Sequence, residues 1–337
     1  MIKLYKILFM NTMVMGTLIT ISSYSWFSMW MGLEINLLSF IPLLSSTKNM
    51  YSSEASLKYF ITQAMASLTL LFSVIMMLMT SEFITPMVNS SFMMMLNSAL
   101  MMKLGAAPFH FWFPEVMEGL TWMNCTILLT WQKIAPFILI MNIKPSPSFM
   151  YMIIITSLIV STIMSFNQVS LRKILAFSSI NHMAWMLAAS IVDNSIWLIY
   201  FIIYAIITVN LTYLFNQGKL FFLGQIPSFM NSNKNIKLSF FINFLSLGGL
   251  PPFLGFMSKW FTINSLVLND MMLISLILIV LTLIMLFVYI RVLMSTLVFS
   301  YTEPKMIQIK FNQMTAFSIN FLTVFSLLSC TIMFNFI

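Results

Sequence analysis

Charged side chains are scarce in this sequence, where Asp, Glu, Lys and Arg together make up only 7% of 337 residues. A soluble domain carries about 25% charged residues, because its surface must interact with water. Hydrophobic residues make up 60% of the chain, and the mean hydropathy is +0.98. These values exclude a soluble globular protein, and continuous apolar runs argue against a membrane β-barrel, whose strands alternate. We therefore predict an all-α polytopic membrane protein.

Cysteine and histidine are also rare, with two of each in the whole chain. Cys125 and Cys330 both fall in apolar segments, and the sequence contains no CxxC motif or Cys/His cluster. We therefore expect no disulfide framework, zinc site or iron–sulfur site. The formal net charge of +8 does not by itself indicate a nucleic-acid partner, because the charges of a membrane protein are read loop by loop. No nucleic acid is expected to bind.

The apolar segments have the length of membrane-spanning helices, each of which needs about 20 residues. Eleven segments are predicted, at about 3–22, 25–46, 55–80, 91–118, 122–141, 149–166, 171–191, 195–216, 238–266, 271–299 and 315–337. With this count, eleven basic residues of loops and helix ends fall on the side of the N-terminus, and Lys144 alone falls on the other side. The positive-inside rule then places the N-terminus inside and the C-terminus outside.

The fourth and ninth spans contain matching irregular sequences, Lys103-Leu-Gly-Ala-Ala-Pro-Phe109 and Leu247-Gly-Gly-Leu-Pro-Pro-Phe253. Proline in mid-span removes a backbone donor and breaks the helix. The spacing of five helices predicts two five-helix repeats, residues 1–141 and 142–299, followed by a C-terminal helix in 300–337. An odd number of helices inverts the second repeat, and paired broken helices in inverted repeats indicate a transport path. Chance recurrence remains the alternative, since glycine and proline are frequent in membrane helices.

One carboxylate and three lysines fall in the interior of predicted spans: Glu34, Lys103, Lys133 and Lys259. A charge at the bilayer centre costs at least about 2.5–3.5 kcal/mol and usually marks an ion or proton pathway. Lysine suits such a pathway, because a buried lysine gives up its proton more readily than an exposed one. The structural alternatives are a static ion pair between Glu34 and Lys103, and a Lys259 side chain that extends to the membrane interface.

The histidines, His110 and His182, lie in the fourth and seventh predicted spans. A relay role fits them, because histidine exchanges protons near neutral pH. A core histidine whose hydrogen bonds are satisfied by a neighbour is an equally good explanation for either residue.

Six motifs together resemble the NADH dehydrogenase subunit 2 family, the mitochondrially encoded antiporter-like subunits of respiratory complex I, in an insect-like form. The motifs are Met31-Gly-Leu-Glu34-Ile-Asn-Leu, Glu54-Ala-Ser-Leu-Lys-Tyr-Phe60, Lys103-Leu-Gly-Ala-Ala-Pro-Phe-His-Phe-Trp112, Trp131-Gln-Lys133-Ile-Ala-Pro136, Phe177-Ser-Ser-Ile-Asn-His182 and Gly248-Gly-Leu-Pro-Pro-Phe-Leu-Gly-Phe256. The resemblance runs from about residue 20 to 295 and leaves the C-terminal 40 residues without a matching motif.

The resemblance implies a proton-translocating core subunit of the membrane arm of NADH:ubiquinone oxidoreductase, an enzyme subunit without a redox centre of its own. Glu34 and Lys103 would form the coupled pair, Lys133 the central lysine and Lys259 the lysine of the second broken helix. NADH, FMN, iron–sulfur clusters and ubiquinone would belong to other subunits. Two alternatives stay open, a stand-alone cation/proton antiporter and a non-pumping structural spacer.

The family also implies a place and neighbours for the chain. It would lie in the mitochondrial inner membrane, with the N-terminus in the matrix and the C-terminus in the intermembrane space. Its partners would be other membrane-arm subunits, including neighbouring antiporter-like subunits, and lipids such as cardiolipin. Bacterial relatives carry additional helices before the first one found here, which leaves a flank for other subunits to cover.

Overall fold

The computed structural model describes residues 4–46, 49–80, 86–143, 145–230, 234–251 and 253–298. Within these ranges the regular structure is helical, apart from one isolated antiparallel bridge between Ser170 and Phe222. Eight helical segments of the described residues are long and apolar enough to cross a membrane. The predicted class, an all-α polytopic membrane protein, is confirmed.

The chain divides into two compact units, with the boundary between Ile153 and Ile154. The helices of the first unit are α1 (Leu4–Ser22), α2 (Trp26–Leu44), α3 (Met50–Thr80), α4 (Pro86–Leu104), α5 (Trp112–Gly119), α6 (Trp122–Leu129) and α7 (Trp131–Ile143). Helix α8 (Pro147–Ser165) contains the boundary. The predicted repeat limits, 1–141 and 142–299, stay a prediction.

The second unit continues with two long helices, then three shorter ones and a final long helix. Its helices are α9 (Leu171–Val192), α10 (Asn194–Gly218), α11 (Ile226–Met230), α12 (Lys234–Gly248), α13 (Leu254–Leu268) and α14 (Met272–Val298), with a single 3₁₀ turn at Leu223–Gln225. The predicted eleventh span, 315–337, and the loop residue Lys144 lie outside the described residues. The count of eleven spans therefore stays a prediction.

Both breaks predicted from the glycine–proline sequences are present. The fourth span consists of α4 and α5, separated by residues 105–111, and the ninth consists of α12, which ends at Gly248, and α13, which begins at Leu254. The fifth span is also interrupted, at Thr130 between α6 and α7, which the sequence did not predict. No proline lies at that point, since Pro136 is inside α7.

Close packing of α1 against α2 fixes the helix that carries Glu34. A methyl group on Gly16 would lie 2.9 Å from the backbone nitrogen of Asn36, and one on Gly32 would lie 2.6 Å from Cγ2 of Thr20. Small residues at such crossings let two membrane helices approach closely, which increases their van der Waals contact. The α1–α2 pair thus gives Glu34 a rigid support.

Candidate functional site

Two backbone carbonyl groups at the break after α4 accept hydrogen bonds from neutral side chains. Nε1 of Trp112 donates to the carbonyl oxygen of Met102 at 3.2 Å, and Nε2 of Gln63 donates to that of Lys103 at 3.3 Å. Gly105 makes the turn, with a positive φ of 75° that residues with a side chain rarely adopt. Polar backbone at membrane depth requires such partners, because no bulk water can satisfy it there.

A small cavity of about 20 Å³ lies beside this break, within the first unit. It is lined by Leu33, Asn36, Leu37, Tyr59, Gln63, Lys103, Leu104, Trp112, Phe113, Leu128, Gln132, Lys133 and Pro136. A volume of this size is sufficient for about one water molecule, provided that polar partners surround it. Lys103 and Lys133, two of the predicted site residues, therefore line one cavity together with amide and phenol groups.

Both lysines of the cavity are buried. Lys103, in the last turn of α4, is 8% exposed, and Lys133, in the first turn of α7, is 2% exposed. Nζ of Lys133 lies 6.0 Å from the centre of the Phe113 ring. The cavity-lining residues as described include no carboxylate, so neutral groups surround the two amines on this side.

Glu34 is half-buried on α2 and does not line the cavity. It forms no ion pair with Lys103 within 4.0 Å, although the two groups interact electrostatically over a longer distance. A static ion pair between them, one of the structural alternatives, is therefore absent. Any coupling between Glu34 and Lys103 acts through space, or through groups that lie between them.

A hydrogen bond links the helix of Glu34 to the helix of Lys133. Nε2 of Gln132 donates to Oδ1 of Asn36 at 2.9 Å, and both amides line the cavity. A second link lies further along, where Nδ2 of Asn124 donates to the carbonyl oxygen of Leu43 at 2.9 Å. These bonds hold α2 against α6 and α7.

In the second unit, Lys259 is 7% exposed on α13 and points back to the break that precedes this helix. Its Nζ donates to the carbonyl oxygen of Gly248 at 2.9 Å and lies 5.6 Å from the centre of the Trp185 ring. An extension of this side chain to the membrane interface, the other structural alternative, is therefore wrong. The lysine is held by a carbonyl and by an aromatic face.

The two histidines occupy different surroundings. His182, on α9, has its Nδ1 2.9 Å from the hydroxyl oxygen of Tyr200, and its ring centre is 5.2 Å from that of Tyr204. His110 is 5% exposed in the segment between α4 and α5, but it does not line the cavity. Its Nδ1 is buried and has no hydrogen-bond partner among the described residues.

Comparison with known proteins gives a consistent assignment. A family model described as NADH:quinone oxidoreductase/Mrp antiporter, TM, matches residues 23–286. The chain is 45% identical over 327 residues to NADH-ubiquinone oxidoreductase chain 2 of Anopheles gambiae, covering 96% of each chain. It is 46% identical over 337 residues to the protein of the same name from Aedes aegypti, covering 98% of each. The chain belongs to the NADH-ubiquinone oxidoreductase chain 2 family.

Solved structures share the fold of this family member at lower sequence identity. A chain of respiratory complex I from Thermus thermophilus with bound aureothin matches with a TM-score of 0.87 and 20% identity, over 97% of this chain and 78% of that one. A chain of the Mrp complex from a Dietzia species matches with a TM-score of 0.78 and 16% identity, over 89% and 61% respectively. At these identities the likeness concerns the fold alone.

The sequence pointed to Lys103, Lys133 and Lys259, which are buried in this chain 2 family member, but it did not point to the neutral residues around them. Asn36, Gln63 and Gln132 line the cavity, and Trp185 faces Lys259. Two of these amides stand close to the charged residues along the chain, since Asn36 follows Glu34 by two positions and Gln132 precedes Lys133. A search for polar neighbours within each motif would have found those two, whereas Gln63 and Trp185 come from other helices.

Proposed function

We propose that this chain is an antiporter-like, proton-translocating core subunit of the membrane arm of NADH:ubiquinone oxidoreductase. The observation that carries the proposal is the cavity of the first unit, which Lys103 and Lys133 line together. Two lysines buried within membrane-spanning segments are costly, and such residues usually mark a pathway for ions or protons. The relatives are named NADH-ubiquinone oxidoreductase chain 2, and this name indicates the complex in which such a pathway would work.

The cavity suits proton transfer between the two lysines. Its volume of about 20 Å³ admits about one water molecule, which would serve as a proton carrier for the polar groups of the lining. In this proposal like charges on the two lysines that line the cavity disfavour each other, so that one charged and one neutral lysine are favoured over two charged ones. A proton that arrives at Lys103 would thus promote the release of the proton from Lys133.

Electron transfer would take place elsewhere in the complex. In this proposal NADH, FMN, iron–sulfur clusters and ubiquinone belong to other subunits, and this chain contributes membrane-embedded proton carriers without a cofactor. Its partners would be neighbouring antiporter-like and other membrane-arm subunits, together with lipids such as cardiolipin. The enzyme activity of the chain is therefore that of the whole assembly, to which it contributes the coupling to proton movement.

Substitution of the central lysine tests this function in the assembled complex. Lys133→Met keeps the length of the side chain and removes the titratable amine, so we expect normal assembly and fewer protons moved per NADH oxidised. Lys6→Met, on α1, removes a lysine outside the cavity and serves as the matched control. A wild-type proton-to-NADH ratio in Lys133→Met would instead support a structural spacer.

The remaining alternative is a stand-alone cation/proton antiporter. This protein would exchange protons without a larger assembly, whereas a membrane-arm subunit would co-purify with NADH-oxidising activity. Co-purification therefore separates the two functions, and a chain recovered alone in an active state would contradict our proposal.

The proposed location is the mitochondrial inner membrane, with the N-terminus in the matrix and the C-terminus in the intermembrane space. The unequal distribution of basic loop residues supports this orientation. Protease treatment of intact mitoplasts should remove a C-terminal tag and spare an N-terminal one. A C-terminal tag protected from the added protease would contradict the predicted number of spans.

A further inference from the structure

The break of the ninth span leaves a carbonyl group that the backbone cannot satisfy. In a continuous helix the carbonyl oxygen of Gly248 would accept from the residue four positions later, which is Pro252 and has no N–H group. Gly248 is also the last residue of α12, where the helix dipole places partial negative charge. Nζ of Lys259 donates to this oxygen at 2.9 Å and thereby replaces the missing donor.

The neighbouring residue, Gly249, decides whether the lysine can reach that position. A Cβ atom on Gly249 would lie 2.7 Å from Cδ of Lys259, 2.8 Å from Nζ and 2.9 Å from Cε. Real Cβ atoms essentially never approach heavy atoms more closely than 3.0 Å. Because the atoms in conflict belong to the end of a flexible side chain, the lysine would move, and it would lose its contact with Gly248.

A second glycine brings the two halves of the broken span together. A Cβ atom on Gly255 would lie only 1.7 Å from the carbonyl oxygen of Ser246, so the backbone of α13 is packed directly against the end of α12. Lys259 lies one helical turn after Gly255 and therefore on the same face of α13. The packing of Gly255 thus directs the lysine side chain towards the end of α12.

We propose that Gly249 is a positioning residue for Lys259. The space left by its missing side chain holds the lysine amine between the carbonyl oxygen of Gly248 and the ring of Trp185. The groups that hold it carry no formal charge, so small movements of the break would change how well the charged amine is stabilised. This inference rests on the proposed function, because it gives Lys259 a part in proton movement.

Gly249→Ala in the assembled complex is the test, and the readout is the pH profile of protons moved per NADH. Loss of one hydrogen bond to a charged donor should shift the midpoint of that profile by about one pH unit, a roughly tenfold change in the protonation equilibrium. Gly224→Ala is the control for a harmless substitution, since a methyl group there meets nothing within 4 Å. Its pH profile should equal that of the wild type.

Backbone strain needs its own control, because Gly249 has a positive φ of 74°. Gly105 has nearly the same φ, 75°, but the atoms nearest to a Cβ atom on it belong to Phe113 and Trp112, at 3.2 Å, and not to a lysine. Gly105→Ala therefore measures what this conformation costs in assembly when no lysine is displaced. We expect Gly249→Ala to lower the amount of assembled complex more than Gly105→Ala does.

A double variant keeps the test decisive if Gly249→Ala alone fails to assemble. With Lys259→Ala the conflicting atoms are absent, so Gly249→Ala should then lower assembly only as far as Gly105→Ala does. An equal loss with and without the lysine side chain would overturn the proposal, as would an unchanged pH profile in an assembled Gly249→Ala complex. If the Lys259→Met complex itself moves protons normally, the proposed part of Lys259 in proton movement is wrong, whatever the role of Gly249.

Discussion

The two broken spans leave helical carbonyl groups inside the membrane, and the two units satisfy them with different chemistry. After α4, the backbone N–H of Gly105 and the neutral side chains of Gln63 and Trp112 are the donors. After α12, the donor is the amine of Lys259. The lysine of the first break, Lys103, makes no hydrogen bond through its amine to the described residues and lines a cavity instead.

In the first unit, the side chains that stabilise the break are different from the lysine that is proposed to carry a proton. In the second unit, Lys259 has both roles. In the first unit uncharged groups donate to the carbonyls of the break, so its stability should not depend on the charge of Lys103. In the second unit the same amine that is proposed to carry a proton also completes the end of a helix. The charge of Lys259 should therefore affect the geometry of its break, and that of Lys103 should not.

Substitution of Lys103 and of Lys259 by methionine tests this difference between the two breaks most directly. Lys259→Met leaves the buried carbonyl oxygen of Gly248 without a donor, which should destabilise the chain by about 1–3 kcal/mol. Lys103→Met removes a buried amine that bonds to no carbonyl, so it should assemble normally. Both variants should move fewer protons per NADH.

Assembly, measured as the amount of intact complex after detergent extraction and mild heating, distinguishes these two cases. We expect a clear loss for Lys259→Met and none for Lys103→Met. Equal amounts for both variants would show that the two breaks are held in the same way.

Gln63→Leu tests the neutral donor of the first break. It removes the bond to the carbonyl oxygen of Lys103 at 3.3 Å and one polar group of the cavity, and should cost about 1 kcal/mol. Thr62→Val is the matched control, since the hydroxyl of Thr62 bonds only within its own helix, to Lys58 and Tyr59. Reduced thermal stability is expected for Gln63→Leu alone, and a larger loss in Thr62→Val would contradict this account.

Glu34→Gln should change assembly even less. Glu34 has no ion pair with Lys103 to lose, and glutamine has nearly the same shape. Its electrostatic effect on Lys103 would disappear, so proton movement should fall while the complex stays intact. A strong assembly defect would mean that Glu34 has a structural partner in a neighbouring subunit.

Trp185→Phe is expected to have the smallest effect. Phenylalanine keeps an aromatic face near Lys259, and a cation–π contact contributes about 0.5–2 kcal/mol in total. The indole Nε1 of Trp185 is buried without a hydrogen-bond partner among the described residues, so its removal offsets part of the lost packing. A small shift in the pH profile of proton movement is expected, with normal assembly. A loss of assembled complex as large as that of Lys259→Met would show that the indole ring is needed for the structure and not only for its contact with the amine.

Much of the fold could be predicted from the sequence because its causes are local along the chain. Apolar runs give the spans, and glycine followed by proline gives the breaks after Leu104 and Gly248. The interruption at Thr130 has no such cause, since the only proline of that span lies at position 136, inside α7.

In the candidate site, too, only features that are local along the chain could be predicted from the sequence. The sequence by itself determined which charged residues fall within apolar spans, because hydropathy and position along a span are sufficient for this. Only the tertiary structure decided their partners: that Lys103 shares a cavity with Lys133, that Glu34 forms no direct ion pair with Lys103, and that Lys259 caps α12. The reason is physical, since a hydrogen bond or a shared cavity depends on the approach of separate helices to within a few ångströms, which the packing of side chains fixes.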